Sequence, residues 1–207
     1  MESLIDLIFK GGPIMFALFL ISILSLFIIV LKIIHFSKFT TSRMNLINKT
    51  GKRINKNNLE ETLLSLKIIP HPAARIMEAT INSLNMTKND REAEIDRVAL
   101  EQLSDLKTWL KPLELIATLS PLLGLLGTVI GMIESFANLE AAGSRVNPSI
   151  LAGGIWEALL TTAFGLIVAI PALAAFTLFE SKVEKIRLEM INASTLVLTT
   201  TIEFRGK

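Results

Sequence analysis

The sequence predicts an all-α membrane protein with three transmembrane helices. Of its 207 residues, 51% are hydrophobic and the mean hydropathy is +0.53, which is too apolar for an ordinary soluble domain. Three stretches carry no charged side chain, namely residues 11–31, 115–133 and 158–179, with 21, 19 and 22 residues. Each is close to the ~20 residues that a helix needs to cross the hydrocarbon of a bilayer.

The first span is predicted over residues 11–34. A secretory signal peptide is not expected here, because Glu2 and Asp6 make the preceding segment acidic and no small-residue cleavage site follows the apolar run. We therefore expect a retained helix. A basic collar follows it, formed by Lys32, His35, Lys38 and Arg43. Such side chains are typical of snorkelling toward headgroups, so lipid is an expected contact, without a particular lipid being indicated.

Residues 36–112 are predicted to form a cytoplasmic segment of helices. Pro72 suits the first position of one helix, and Thr87 is placed to cap a longer one with Asp90 at its third position. Apolar residues recur every three or four positions in both. Trp109 and Lys111 then mark the boundary of the membrane, where aromatic and cationic side chains are common.

The second and third spans are predicted over residues 113–136 and 150–179, with a short loop from residue 137 to 146. Asn147 and Pro148 suit the start of the third helix. Beyond Phe179 the helical spacing continues at Val183, Ile186, Met190 and Val197, so this helix is predicted to continue into a cytoplasmic tail, residues 180–207. The whole chain, 1–207, is then a single unit.

The charges predict the orientation of this unit. Of the 21 Lys and Arg residues, 14 lie between Lys32 and Lys111 and five follow Phe179. The positive-inside rule places these segments in the cytoplasm. The N-terminus is therefore expected outside and the C-terminus in the cytoplasm.

Several classes of function have no support in the sequence. There is no cysteine, which excludes disulfides and thiol chemistry. His35 and His71 are far apart and are expected to be surface or capping residues rather than metal ligands. No nucleotide-binding loop, zinc-protease motif or nucleophile elbow is present. We expect no enzyme, catalytic residue, cofactor, metal site or nucleic-acid partner.

Small residues form a stripe along span two and another along span three. The first stripe follows steps of four and three and comprises Ala117, Pro121, Gly124, Thr128, Gly131 and Ser135. The second comprises Ala158, Thr162, Gly165, Ala169 and Ala172, with Glu157 and Thr161 beside it. Small faces let membrane helices approach closely, which assigns a packing role to Gly124, Gly127, Gly131, Ala158, Gly165 and Ala169. Pro121 and Pro171 lie inside the spans, where they can bend the helices and shape a lumen.

Three polar residues on or beside the stripes form a candidate ion path. Thr128 and Thr162, taken singly, are better explained by packing, because a threonine in lipid can bond to its own helix. Glu157 changes that balance, since a carboxylate within a membrane helix normally faces a bundle interior, a polar partner or water. It lies nine residues after Pro148, about 14 Å along the helix. The alternative is that Glu157 is interfacial.

Two long motifs in these spans resemble the MotA/TolQ/ExbB proton-channel family. They are LIATLSPLLGLLGTVIGM at residues 115–132 and GGIWEALLTTAFGLIVAIPA at residues 153–172. Three spans and a modest cytoplasmic segment are similar to the ExbB and TolQ branches, and we predict an ExbB-like protein. The resemblance implies a pentameric ring of this chain around a dimer of an ExbD-like or TolR-like single-span protein, whose membrane aspartate carries the proton. Proton flow would drive motion that passes to a TonB-like or TolA-like protein.

The resemblance also implies roles for individual residues. The two pore threonines of the family fall on Thr128 and Thr162, and its intramembrane glutamate falls on Glu157. Thr161 stands where many relatives have alanine, which leaves the choice between proton and sodium open. The implied function is a proton-channel or stator subunit of a complex that powers outer-membrane transport. The alternatives are a TolQ-like subunit for envelope integrity and a passive membrane scaffold.

Overall fold

The structure, a computed structural model, describes residues 12–37, 39, 46–47, 49, 58–142 and 148–205. This part of the chain is all-α and contains no strand, as predicted. Six helices with defined bounds make it up: α1 (Gly12–Ser37), α2 (Leu59–Lys67), α3 (Pro72–Asn82), α4 (Lys88–Lys107), α5 (Leu110–Ala142) and α6 (Pro148–Arg205). The expectations for Lys38, Arg43 and Asn147 concern residues outside the described ranges.

Three of these helices are long and apolar enough to cross a membrane, which confirms the predicted number of spans. They are α1, α5 and α6, with mean hydropathies of 3.1, 2.0 and 2.2 over their most apolar segments. Helix α5 extends through Ala142, so the loop expected from residue 137 is wrong up to that point. The reason is that residues 137–142, ANLEAA, are mostly good helix formers. Helix α6 has 58 residues, far more than the ~20 that a crossing needs.

The described residues divide into two compact units. The first unit comprises residues 12–31 and 109–178, and the second comprises residues 32–108 and 179–205. In the first unit, α1 buries Met15, Leu18 and Ile28, while α5 and α6 meet through small residues.

The second unit is built around large apolar side chains. Helix α3 packs against α2 and α4. The fully buried side chains of these three helices include Leu66, Ile76, Met77 and Leu106. Helix α6 buries residues at steps of four and three, namely Phe179, Val183, Ile186, Met190, Ala193 and Val197. The periodicity predicted beyond Phe179 is therefore confirmed as one continuous buried face.

Helices α3 and α4 begin where their capping residues predict. Pro72 is the first residue of α3, and His71 Nδ1 accepts a hydrogen bond from the Ala73 backbone N–H at 3.2 Å. Thr87 Oγ1 accepts one from the Asp90 N–H at 3.3 Å at the start of α4. Each bond satisfies a backbone donor that the first turn of a helix leaves unpaired. His71 is thus a capping residue, and it is buried rather than on the surface.

The junction between α4 and α5 lies at Trp109. Its φ of 67° is in the left-handed region, which ends a right-handed helix. Helix α5 then starts at Leu110, with Pro112 in its first turn. A proline is tolerated there, because its missing N–H would have had no intrahelical acceptor.

Lys32 corrects one expectation from the sequence. Its side chain does not extend toward headgroups, since the residue is only 3% exposed. Its Nζ donates to the carbonyl oxygen of Leu106 at 2.8 Å and lies 5.4 Å from the centre of the Phe36 ring. Leu106 is in the last turn of α4, where carbonyls lack intrahelical donors and a cation is favoured by the helix dipole. Lys32 is therefore a cap for the C-terminus of α4.

Candidate functional site

Helices α5 and α6 approach each other backbone to backbone. A Cβ atom on Gly165 would lie 2.6 Å from the carbonyl oxygen of Ser120, and one on Gly124 would lie 2.9 Å from the Cα atom of Thr162. Neither position has room for a larger residue unless the helices move apart. We call this contact the seam, and it comprises Gly124, Gly127, Gly131, Ala158, Thr161 and Gly165.

Two hydroxyl groups of α6 reach across the seam to the same carbonyl group of α5. Thr162 Oγ1 donates to the carbonyl oxygen of Gly124 at 2.9 Å. Thr161 Oγ1 lies 3.2 Å from that oxygen and 2.7 Å from the carbonyl oxygen of Ala158 on its own helix. Thr161 is only 3% exposed, whereas Thr162 is half-buried. The Gly124 carbonyl is therefore the polar centre of an otherwise apolar contact.

The structure does not join the two predicted path threonines directly. Thr128 Oγ1 donates to the carbonyl oxygen of Leu125, on its own helix, at 2.6 Å. Within the described residues, no hydrogen bond links Thr128 to Thr162. Both are half-buried at the edge of the seam, so each leaves part of its side chain open to a further chain.

Glu157 lines a cavity of about 400 Å³ in the first unit. Glu134, Ser135 and Asn138 of α5 line the same cavity, together with Thr161. Both carboxylate side chains are exposed there. Two negative charges in one recess raise the local concentration of cations. The cavity therefore gives Glu157 an electronegative setting next to the seam.

The remaining predicted site residues lie outside the seam. Both helices continue without a break through Pro121 and Pro171, of which the first is half-buried and the second exposed. Their bending and lumen-shaping roles stay predictions. Ala169 is buried further along α6.

Thr161 is more central to the site than the sequence predicts, and Glu134 is a cavity residue that neither stripe includes. The predicted stripe along span three passes through Thr162, with Thr161 beside it. In the structure, Thr161 is the threonine buried on the face of α6 that contacts α5. The signal was present, because Ala158, Thr161 and Gly165 are also three and four positions apart. Glu134 follows Gly131 by three positions, so helical spacing places it beside the stripe of α5, where it lines the cavity.

Comparisons with known proteins match the part of the chain that contains this site. Residues 68–192 match the MotA/TolQ/ExbB proton channel family. The chain is similar to ExbB-like protein 1 of Synechocystis, at 34% identity over 86% of this chain and 71% of that protein. It is also similar to biopolymer transport protein exbB1 of Vibrio cholerae, at 47% identity over 36% of this chain and 32% of that protein.

A third relative comes from the other branch that the sequence analysis considered. The Tol-Pal system protein TolQ of Haemophilus influenzae is 30% identical over 58% of this chain and 47% of that protein. The matched segments of the Vibrio and Haemophilus proteins are less than half of those proteins. The family match itself covers more than half of this chain and includes every residue of the seam. The chain therefore belongs to the MotA/TolQ/ExbB proton channel family.

Proposed function

We propose that this chain is the ExbB-type subunit of a complex driven by the proton-motive force. In this proposal α5 and α6 form one wall of an ion path, and a single-span partner with a membrane aspartate completes it. The observation that carries the proposal is the pair of hydroxyls converging on the Gly124 carbonyl. The role is conduction coupled to movement, and no catalysis by this chain is proposed.

The edge threonines suit contact with an ionisable partner. A hydroxyl both donates and accepts hydrogen bonds, so it can solvate a carboxylate as well as a carboxylic acid. Thr128 and Thr162 are half-buried, so a partner helix could reach both side chains. A charged aspartate is unfavourable within hydrocarbon. Hydroxyl groups beside it reduce that free-energy cost at the place where the aspartate gains or loses its proton. The chain would thus fix where along the path the proton is gained or lost.

The cavity at Glu157 serves as the entrance in this proposal. With the N-terminus outside, the beginning of α6 lies near the outer surface, where protons arrive. Glu157 and Glu134 would concentrate cations there, and a volume of about 400 Å³ holds several waters. In this proposal, the partner's acidic group and Thr161 determine whether the path selects protons or sodium ions.

The wider assembly is proposed from the family and from the distribution of charge. We place five copies of the chain in a bacterial inner membrane, around a dimer of an ExbD-like protein, with a TonB-like protein receiving the motion. The relatives named biopolymer transport proteins support this branch. The basic segments between Lys32 and Lys111 support a cytoplasmic location for that part of the chain.

A TolQ-type role in envelope integrity is the second candidate. The similarity to the Haemophilus TolQ protein favours it. The two candidates require different partners, so purification of the tagged chain from its native membranes, followed by mass spectrometry, distinguishes them. An ExbD-like and a TonB-like protein are expected, whereas TolR-like and TolA-like proteins would favour the second candidate. A passive scaffold would bring no partner with a membrane aspartate.

Ion flux tests the role of Thr162. The complex with its co-purified partner is reconstituted in liposomes containing a pH-sensitive dye, and proton uptake is recorded under an imposed membrane potential. Thr162→Val keeps the side-chain shape but removes the hydroxyl, and flux should fall by roughly tenfold or more. Thr177→Val is the matched control, because that exposed hydroxyl donates to the carbonyl oxygen of Leu173 on the same helix. Undiminished flux in Thr162→Val would contradict the proposal, as would flux through the chain without its partner.

A further inference from the structure

Thr161 is unusual among the hydroxyl residues of the first unit because it has two acceptors and almost no exposure. Its Oγ1 lies 2.7 Å from the carbonyl oxygen of Ala158 and 3.2 Å from that of Gly124, with one proton to donate. The Gly124 oxygen also accepts a hydrogen bond from Thr162 Oγ1 at 2.9 Å. Two donors therefore share one acceptor across the seam, and one of the two donors has an alternative acceptor.

The two threonines differ in their freedom to move. A Cβ atom on Gly127 would overlap the side chain of Thr161, so this side chain is held against α5. Thr161 can redirect its proton only by rotating the O–H bond, and both acceptors are already within bonding distance. Thr162 is half-buried at the edge, where it can change its side-chain rotamer.

We propose that Thr161 is a positioning residue for conduction, which holds the Gly124 carbonyl whenever Thr162 turns its hydroxyl toward the ion path. This inference rests on the proposed function of Thr162. Without Thr161, the release of Thr162 would leave a carbonyl group with one partner fewer in a water-poor contact, which is unfavourable. With Thr161 present, the exchange requires a hydroxyl rotation and no movement of the helices. Thr161 would therefore raise the rate at which Thr162 becomes available to an ion.

A purely structural role for Thr161 makes the opposite prediction in mutants. Valine has the shape of threonine without the hydroxyl, so Thr161→Val preserves the packing of the seam. Serine keeps the hydroxyl without the methyl group, so Thr161→Ser preserves the hydrogen bonds and weakens the packing. The two variants thus separate the hydroxyl from the methyl group at one buried position.

The experiment measures proton flux through liposomes that contain the complex of this chain with its co-purified single-span partner. Thr161→Val should slow flux roughly three- to tenfold, the rate equivalent of one interhelical hydrogen bond. Thr161→Ser should stay within about twofold of the wild type. Wild-type flux in Thr161→Val, or equal slowing in both variants, overturns the inference. Should Thr161→Val fail to assemble, Thr161→Ala replaces it as a smaller side chain without a hydroxyl, and the same slowing is required.

A double mutant determines whether Thr161 acts through Thr162. If it does, Thr161→Val should add no further slowing in a Thr162→Val background, so that the two effects are strongly non-additive. Independent, multiplying effects would overturn the positioning role. Normal flux in Thr162→Val would instead overturn the proposed function itself. Slow flux in Thr162→Val with normal flux in Thr161→Val would overturn this inference alone.

Discussion

The seam of the first unit and the core of the second unit both hold helices together, but the seam uses small residues and the core uses large apolar side chains. In the seam, glycine and alanine bring two backbones together, and hydroxyls bond across the contact. In the second unit, side chains such as Ile76 and Met77 are fully buried. Half of the 20 residues of α4 are charged, so this unit has an aqueous surface from which apolar groups are driven inward. Lipid supplies no such force, and close contact and hydrogen bonds take its place.

This difference predicts that the two regions respond to opposite changes of size. The second unit should be sensitive to the loss of atoms, and the seam should be sensitive to their addition. Unfolding measured by denaturant titration in detergent micelles, on single substitutions with matched controls, tests the contrast.

The largest effect is expected for Met77→Ala in the second unit. Met77 is fully buried, and its truncation removes apolar contacts and leaves a cavity, which lowers the free energy of unfolding by about 3 kcal/mol. Met86→Ala is the control, because that side chain is about half exposed. The control should change stability by less than about 0.5 kcal/mol. Equal effects for the two methionines would show that this core does not depend on close packing.

A smaller but opposite effect of size is expected in the seam. Gly165→Ala adds one methyl group within 2.6 Å of the Ser120 carbonyl oxygen, so the helices must separate, at a cost of about 2 kcal/mol. Gly153→Ala adds the same group to the same helix where no atom lies within 4 Å. That control should be neutral or more stable by up to about 1 kcal/mol, because alanine favours helix. The prediction is contradicted if both substitutions lower the free energy of unfolding, or if both raise it.

The cap at His71 should contribute about 1 kcal/mol to the free energy of unfolding. His71→Ala removes the acceptor for the Ala73 N–H and also the contact of Nε2 with Glu189 Oε2 at 3.5 Å. His71→Asn provides a capping acceptor again, so it should recover part of the loss. Helix content followed by circular dichroism during unfolding gives the comparison, and an Asn variant no better than Ala would argue against the cap.

The smallest effect is expected on the exposed face of α4. Arg97 donates hydrogen bonds to Glu94 at 2.7 and 2.8 Å, which lowers the pKa of the Glu94 carboxyl group. A lowered pKa means that this pair stabilises the fold above the ordinary pKa of glutamate and loses that contribution as the pH falls through the lowered value. Arg97 is exposed and Glu94 is partly exposed at the helix surface, so solvent screens the pair and Arg97→Ala should cause no resolvable change in the free energy of unfolding at neutral pH. A clear loss, persisting in high salt, would contradict this.

The sequence was sufficient for the spans and for most helix starts because those depend on local properties. Charge-free length predicts a crossing helix, and Pro72 and Thr87 are capping residues whatever surrounds them. The parts it could not predict depend on distant partners. In the sequence, Lys32 cannot be distinguished from a lysine that faces headgroups, because both follow an apolar span. Its role as a cap is evident only from its hydrogen bond to Leu106 in the folded structure.

The candidate site was partly predictable for the same reason. The stripes of small residues could be identified on α5 and α6 because helical spacing is visible in the sequence. Thr161 and Thr162 are adjacent and point about 100° apart on the helix. A series of residues spaced by three or four positions can include either of them. The position of α5 decides which of them is buried, and Thr161 was the residue it buried.

The bond between Lys32 and Leu106 has a consequence for what stabilises the second unit. It joins residues 74 positions apart, and closing a flexible loop of that length costs about 4 kcal/mol in chain entropy. A single charge-assisted hydrogen bond provides roughly 1.5–3 kcal/mol and cannot hold the loop closed alone. The apolar contacts of the second unit must therefore supply the rest of that free energy, so the lysine can hold its carbonyl only where the core keeps the two segments together.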